Sequence, residues 1–189
     1  MTDEARLVSI LGASPSLMRV MTGLWALDLP DWRLVSGCIY QTVWNALTGR
    51  DPDYGLKDYD AVYFDPDTSW DAEDVFIKRV AAAFAPPLDA MVEVRNQARV
   101  HLWFEGKFGE PYAPLTRTDE ALERFVCPAF AVGARLEAGG RISIAAPFGL
   151  DDLFAMRLRP NPNRPINPKG FAKVLASAQA RWPELIVAA

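Results

Sequence analysis

Three short stretches of the chain carry side chains able to act together. Asp58-Tyr59-Asp60 leads into the apolar run Ala61-Val62-Tyr63-Phe64. In an extended chain alternate residues project to the same side, so Asp58 and Asp60 can face one site. Two carboxylates held together repel each other unless a cation lies between them. Oxygen-only donors at close quarters suit magnesium, which keeps waters and accepts phosphate oxygens as further ligands; manganese fits the same donors. Ser36-Gly37 follows the short apolar run Trp32 to Val35 and precedes a helical pattern. Free backbone N–H groups and the helix dipole favour an anion at such a turn. Gly37 lets a phosphate approach the backbone closely, and the Ser36 hydroxyl can donate a hydrogen bond. Glu93, in Val92-Glu93-Val94-Arg95, is the candidate third carboxylate. Arg95 shares its strand face and could neutralise phosphate charge. A phosphate cradle beside magnesium-binding carboxylates is equipment for phosphoryl or nucleotidyl transfer, with two metals serving the attacking and leaving oxygens.

Each of these residues also has a plainer reading. Asp58 and Asp60 could cap a turn before a strand, and Ser36 could be an ordinary helix N-cap. Glu93 could be an ion-pair partner of Arg95. The polar run Asn96, Gln97, Arg99 and His101 could line the substrate side and read a base or an acceptor, or could satisfy buried backbone groups and form ion pairs. His101, the single histidine, could be a general base or a structural residue. Asp151-Asp152 reads as a cap on a short turn sooner than as a second acidic site. Cys38 reads as a small buried residue beside the turn, and the six tryptophans as packing groups.

The surrounding patterns supply the elements that would hold the site. Apolar residues from Leu7 to Leu24 recur at helical spacing over 4–27, with a break at Gly12-Ala13-Ser14-Pro15. Trp32 to Val35 reads as a strand. Ile39, Val43, Trp44 and Leu47 form one helix face that Gly49 ends. Residues 50–55 form a loop, and 61–64 a strand that begins near Lys57 or Asp58. Thr68 with Asp71 resembles a capping box for a helix that Pro86-Pro87 closes. Met91 to Val94 reads as a strand, Val100 to Phe104 as an extended stretch, Glu105 to Pro114 as a loop, and Asp119 to Val126 as a short helix. Phe130 to Leu136 and Arg141 to Ala145 flank Gly139-Gly140 as a hairpin. After a loop at 161–165, a last helix runs from about Pro168 to Arg181. Helices and strands alternate without a strict βα rhythm, which predicts an α+β fold or a mixed sheet.

The chain has 189 residues, 50% of them hydrophobic and 23% charged, as expected of a globular domain. Its 20 basic and 24 acidic residues leave a net charge of -4, which disfavours a nonspecific binder of long nucleic acid without excluding a local basic pocket. Two cysteines cannot build a disulfide framework or a four-thiolate zinc site, and one histidine excludes zinc sites that need two. No segment reaches the roughly 20 apolar residues of a membrane span. The acidic opening Met1-Thr2-Asp3-Glu4 is unlike a secretory signal, so a cytoplasmic location is the expectation.

Leu34-Val35-Ser36-Gly37-Cys38-Ile39 followed by Lys57-Asp58-Tyr59-Asp60-Ala61-Val62 resembles the opening of the DNA polymerase beta-like nucleotidyltransferase superfamily, which includes the CCA-adding enzymes. Two longer strings, Val94 to Trp103 and Ala146 to Phe154, are similar to a small bacterial nucleotidyltransferase-like family of unassigned substrate. The resemblance spans roughly Trp32 to Leu185. It implies an α+β fold with a mixed sheet flanked by helices, in a single domain over 1–189 with a core at about 30–110 and a C-terminal hairpin-and-helix extension at about 115–189. It also implies magnesium and a nucleoside triphosphate at the sheet edge. Asp58 and Asp60 would then be metal ligands with Glu93 as third carboxylate. Ser36 and Gly37 would face the triphosphate; the residues' own chemistry, not the resemblance, adds Arg95 to them and sets Asn96, Gln97, Arg99 and His101 as candidates for the substrate side. The expected activity is transfer of a nucleoside monophosphate to a hydroxyl of a small-molecule or protein acceptor, with release of pyrophosphate. The alternative is a nucleotide-binding or interaction module on the same fold without transfer activity. The chain departs from the superfamily in having Ser-Gly where Gly-Ser or Gly-Gly is usual. It has Tyr40-Gln41 where CCA-adding enzymes carry Arg-Asp, and a longer gap from Gly37 to Asp58.

Overall fold

The computed structural model describes residues 1–164 and 168–188; Pro165, the end of the predicted 161–165 loop, lies outside the described residues. The first helical pattern divides where Ser14-Pro15 demands it. Helix α1 (Asp3–Gly12) ends, the Ser14 hydroxyl accepts from the Leu17 N–H at 3.3 Å, and α2 (Pro15–Leu27) leaves at 93°. Proline at the first helical position and serine before it are favourable at that corner. The apolar faces of both helices, Leu7 and Leu11 on one and Leu17 to Leu24 on the other, are fully buried. Among the described residues no single helix is long and apolar enough to cross a membrane.

The core is a five-stranded mixed sheet in the order β3-β2-β1-β4-β5, made of β1 (Arg33–Val35), β2 (Tyr59–Tyr63), β3 (Val92–Asn96), β4 (Gly133–Leu136) and β5 (Ile142–Ala145). β1 runs antiparallel to β2 and β4, β4 antiparallel to β5, and β2 parallel to β3. A parallel pair needs a crossover, and α4 (Trp70–Ala83) provides it before the short α5 (Leu88–Met91). The predicted hairpin forms and lengthens the sheet on the far side of β1. A small parallel pair, β6 (Arg157–Leu158) with β7 (Ile186–Val187), is absent from the sequence reading because its segments are too short to show a period.

Helix α3 (Gly37–Leu47) is buried at every position from Gly37 to Asn45. A helix enclosed on all sides must pair its polar groups internally. Thr42 donates to the Cys38 carbonyl (2.8 Å), and Asn45 donates to the Pro52 and Tyr54 carbonyls (3.1 and 2.9 Å), which fixes the 50–55 loop. Asn45 also accepts from the Trp182 indole at 3.0 Å, while the Trp44 indole donates to the Leu153 carbonyl at 3.0 Å. The last helix, α8 (Pro168–Gln179), thereby leads its following turn back onto α3.

Two local expectations are corrected. The cap of α4 is Ser69, whose hydroxyl accepts from the Ala72 N–H, and not Thr68. The stretch from Val100 is not extended: Gln97–Leu102 forms a 3-10 helix, and α6 (Phe104–Phe108) occupies part of the predicted loop. The cause is Asn96, whose side-chain oxygen accepts from the Ala98 N–H at 3.0 Å and turns the chain out of the strand.

Candidate active site

Strand register gathers the chemistry. Val35 stands opposite Asp60, and Asp60 opposite Glu93, so β1, β2 and β3 meet at one level. Ser36 follows Val35 directly. Asp58 precedes β2, and its Oδ1 is 3.9 Å from where a Cβ on Gly37 would stand, so this carboxylate adjoins the first turn of α3. A cavity of about 520 Å³ opens here, with Ser36, Asp60, Glu93, Arg95 and Gln97 on its polar wall.

Burial raises the Asp60 carboxyl to about 6, and the neighbouring Asp58 and Glu93 charges add to this; Arg95 opposes it. Asp60 is therefore an under-neutralised acid at the centre of an acidic group. Glu93 and Arg95 lie on the open side of β3 and pair loosely, at 3.4 Å. Cys38 is no nucleophile. It is fully buried, and burial with the Asp60 and Asp58 charges pushes its thiol far up.

Ser36 sits at φ 60°, ψ -129°, a conformation that favours glycine, and its hydroxyl makes no cap hydrogen bond to α3. It stands where the superfamily's first glycine is usual. A non-glycine residue there costs on the order of 1–2 kcal/mol, which persists when the surroundings demand it. Ser36→Gly is expected to gain about 1 kcal/mol of stability after the added chain entropy of glycine, read as a higher denaturant midpoint. A loss of stability would show that the hydroxyl holds the turn together and does not serve the cavity. Gly37 matters through space: a Cβ would come within 2.8 Å of Gln41 Nε2.

The polar run after β3 divides. Gln97 lines the cavity; Asn96, Arg99 and His101 do not. Asn96 is buried and ties down the loop after β2, accepting from the Asp65 N–H and donating to the Asp65 and Asp67 carbonyls. Arg99 turns to α4, where its Nε lies 2.8 Å from Glu73 as an ion pair without an aligned hydrogen bond. Its guanidinium also donates to the Thr68 carbonyl and covers the Trp70 ring. His101 Nδ1 is buried without a partner among the described residues. Asp152 is buried against Arg159 and Arg157 (2.7 and 3.4 Å), in an ion-pair anchor with no part in the cavity.

A search against protein families matches a nucleotidyltransferase family over residues 23–187. The chain belongs to this nucleotidyltransferase family. A solved structure, described as revealing a CCA-adding enzyme head domain, is similar to it at a TM-score of 0.76 and 25% identity, over 96% of this chain and 94% of that one. No curated protein matches significantly. The fold is thus a nucleotidyltransferase fold, and the general role is nucleotidyl transfer.

In this nucleotidyltransferase the sequence reading missed two groups. Arg181, just beyond α8, donates to Gln41 Oε1 and the Gly55 carbonyl, each at 3.2 Å, and pairs with no carboxylate among the described residues. It brings a positive charge to α3, where this chain has Tyr40-Gln41 in place of Arg-Asp; its sequence distance concealed it. The second group is the aromatic wall of the cavity, centred on Phe104 with Trp103, Phe108 and Tyr112. The density of rings between 103 and 112 was its only signal in the sequence.

Proposed function

We propose that this nucleotidyltransferase binds a nucleoside triphosphate with its polyphosphate at Ser36-Gly37 and the start of α3, supported by Arg95. It then moves the nucleoside monophosphate onto a hydroxyl of a small-molecule or protein acceptor. The acceptor oxygen bonds to the α-phosphorus, the bond from that phosphorus to the bridging oxygen breaks, pyrophosphate leaves, and Glu93 receives the hydroxyl proton. The observation that supports this reading is the register Val35–Asp60–Glu93, with Ser36, Asp60 and Glu93 on one cavity wall; Asp58 and Gly37 lie behind that wall, against each other at the start of α3.

The donor set fits a divalent cation, magnesium first and manganese second. The Asp60 carboxyl, raised to about 6 by burial and two like charges, is under-neutralised and offers only oxygen. Asp58, Asp60 and Glu93 would hold one or two such ions, although among the described residues no three acidic, histidine or cysteine side chains already stand at ligand spacing. Bound there, the metal would offset charge on the triphosphate oxygens. That spread of donors favours one rival, a module that binds nucleotide without transferring it.

Calorimetry with each common nucleoside triphosphate, with and without magnesium, followed by pyrophosphate release over an acceptor panel, separates the readings. Magnesium-dependent binding and release are expected, with Asp58→Asn losing at least about 100-fold in turnover. Tight binding without release for any acceptor would establish the module. Turnover in Asp58→Asn equal to the parent would remove the carboxylates from the mechanism.

A further inference from the structure

The proposed transfer uses only one end of the cavity. Beyond Gln97 its lining changes character to the wall around Phe104, whose ring lies 4.7 Å from Phe108 and 4.5 Å from Tyr112. Trp103 is 39% and Phe108 49% exposed, so rings that would ordinarily pack into a core stand open to a cavity. Two arginines join this wall. Arg164 lies over Phe104 at 5.4 Å, but Glu110 neutralises it through Nε (3.1 Å). Arg124 lies over Tyr112 at 5.7 Å and, among the described residues, pairs with no carboxylate. The wall therefore presents flat apolar faces with one uncompensated guanidinium. Aromatic faces take planar rings, and a guanidinium in partly desolvated surroundings takes a carboxylate, phosphate or sulfonate.

We propose that the aromatic half of the cavity is the acceptor subsite and takes a molecule with a planar ring and one anionic group, the ring against Trp103 and Phe108 and the anion on Arg124. This rests on the nucleotidyl-transfer reading only for the word acceptor. A nucleobase is neutral near pH 7 and would leave Arg124 unpaired, whereas the triphosphate's charges are served at Ser36 and Arg95. An acid-bearing ring satisfies both features of the wall at once, and its hydroxyl would extend towards Asp60 and Glu93.

The test is calorimetry on the full chain with naphthalene-2-carboxylate, naphthalene-2-carboxamide and hexanoate, first without nucleotide or metal. The carboxylate is expected to bind at least about 10-fold more tightly than either the amide or hexanoate. Arg124→Gln should bring the carboxylate down to the amide's affinity, and Trp103→Ala should weaken both ring compounds; circular dichroism confirms that each variant is folded. A saturating nonhydrolysable triphosphate with magnesium should leave the carboxylate's affinity within about 3-fold, since the subsites are distinct. Equal binding of acid and amide would overturn the anionic part. Binding of neither ring compound would overturn the subsite, and displacement by the triphosphate would give the wall to the nucleotide instead. Failure of the transfer reading is separate: it would appear as no triphosphate binding while naphthalene-2-carboxylate still binds.

Discussion

Asp60→Asn should make this protein more stable at pH 7 and at the same time inactive. The folded-state carboxyl, raised to about 6, lies above its ordinary value of 3.8. At about pH 3 and below the acid is protonated in both folded and unfolded chains and costs nothing. Between about 4 and 6 the unfolded chain releases a proton that the folded chain retains, so stability falls as pH rises, and above about 6 the full cost remains. At 1.36 kcal/mol per pH unit the cost is on the order of 3 kcal/mol, all of it removed by asparagine. Urea midpoints for wild type and Asp60→Asn, without divalent cations, should coincide at about pH 3, below the ordinary value of 3.8, and separate towards pH 7. Magnesium should then stabilise the wild type and not the variant, because only the wild type has the charge to be neutralised. Turnover should fall by about 1000-fold or more, as is usual when a group central to transition-state charge is removed. Coincident midpoints at both pH values would show that Asp60 is already neutralised by its surroundings, and would withdraw the argument for a cation.

The same residues explain what could be read in advance. Asp60 could be placed because alternation in a strand is local, whereas Asp58 precedes β2 and adjoins α3; Ser36-Gly37 could be placed because a strand, a small turn and a helix follow one another in the chain. Strand order is non-local: β1 between β2 and β4 depends on residues about a hundred positions apart, and the family resemblance implied a mixed sheet without its order. The failure after β3 had a specific cause. Asn96 reads as another polar strand residue, yet its side chain accepts from the Ala98 N–H and starts a 3-10 turn, which points Arg99 at α4 and leaves Gln97 alone of the four polar residues on the cavity. Arg181 and Arg124 were illegible for a different reason. A surface arginine looks the same in sequence whether it meets solvent, a carboxylate or a substrate.

Glu73→Gln should cost the fold about 3–5 kcal/mol and leave nucleotide binding alone. Glu73 is 4% exposed on α4; one oxygen accepts from the Asn96 N–H at 2.9 Å and the other lies 2.8 Å from Arg99. Glutamine can keep the first contact but not the charge. Arg99, with its side chain 13% exposed, would then be a partly buried cation without a counterion. The apparent melting temperature should fall by on the order of 10 °C. Glu73→Gln with Arg99→Met should recover most of the loss, because removing both charges is far cheaper than stranding one. Triphosphate affinity of the folded variant should stay within about 2-fold, since the pair faces α4 and not the cavity. A small stability change with a large loss of affinity would return Arg99 to the substrate side. The contrast with Asp60 is informative. Both are carboxylates on elements of the same parallel crossover, but Glu73 has an arginine and a backbone donor of its own, while Asp60 has two like charges and only a distant share of Arg95. A fold that gives Glu73 its own counterion and leaves Asp60, thirteen positions earlier, beside two like charges makes Asp60 the acid that an outside cation would stabilise more.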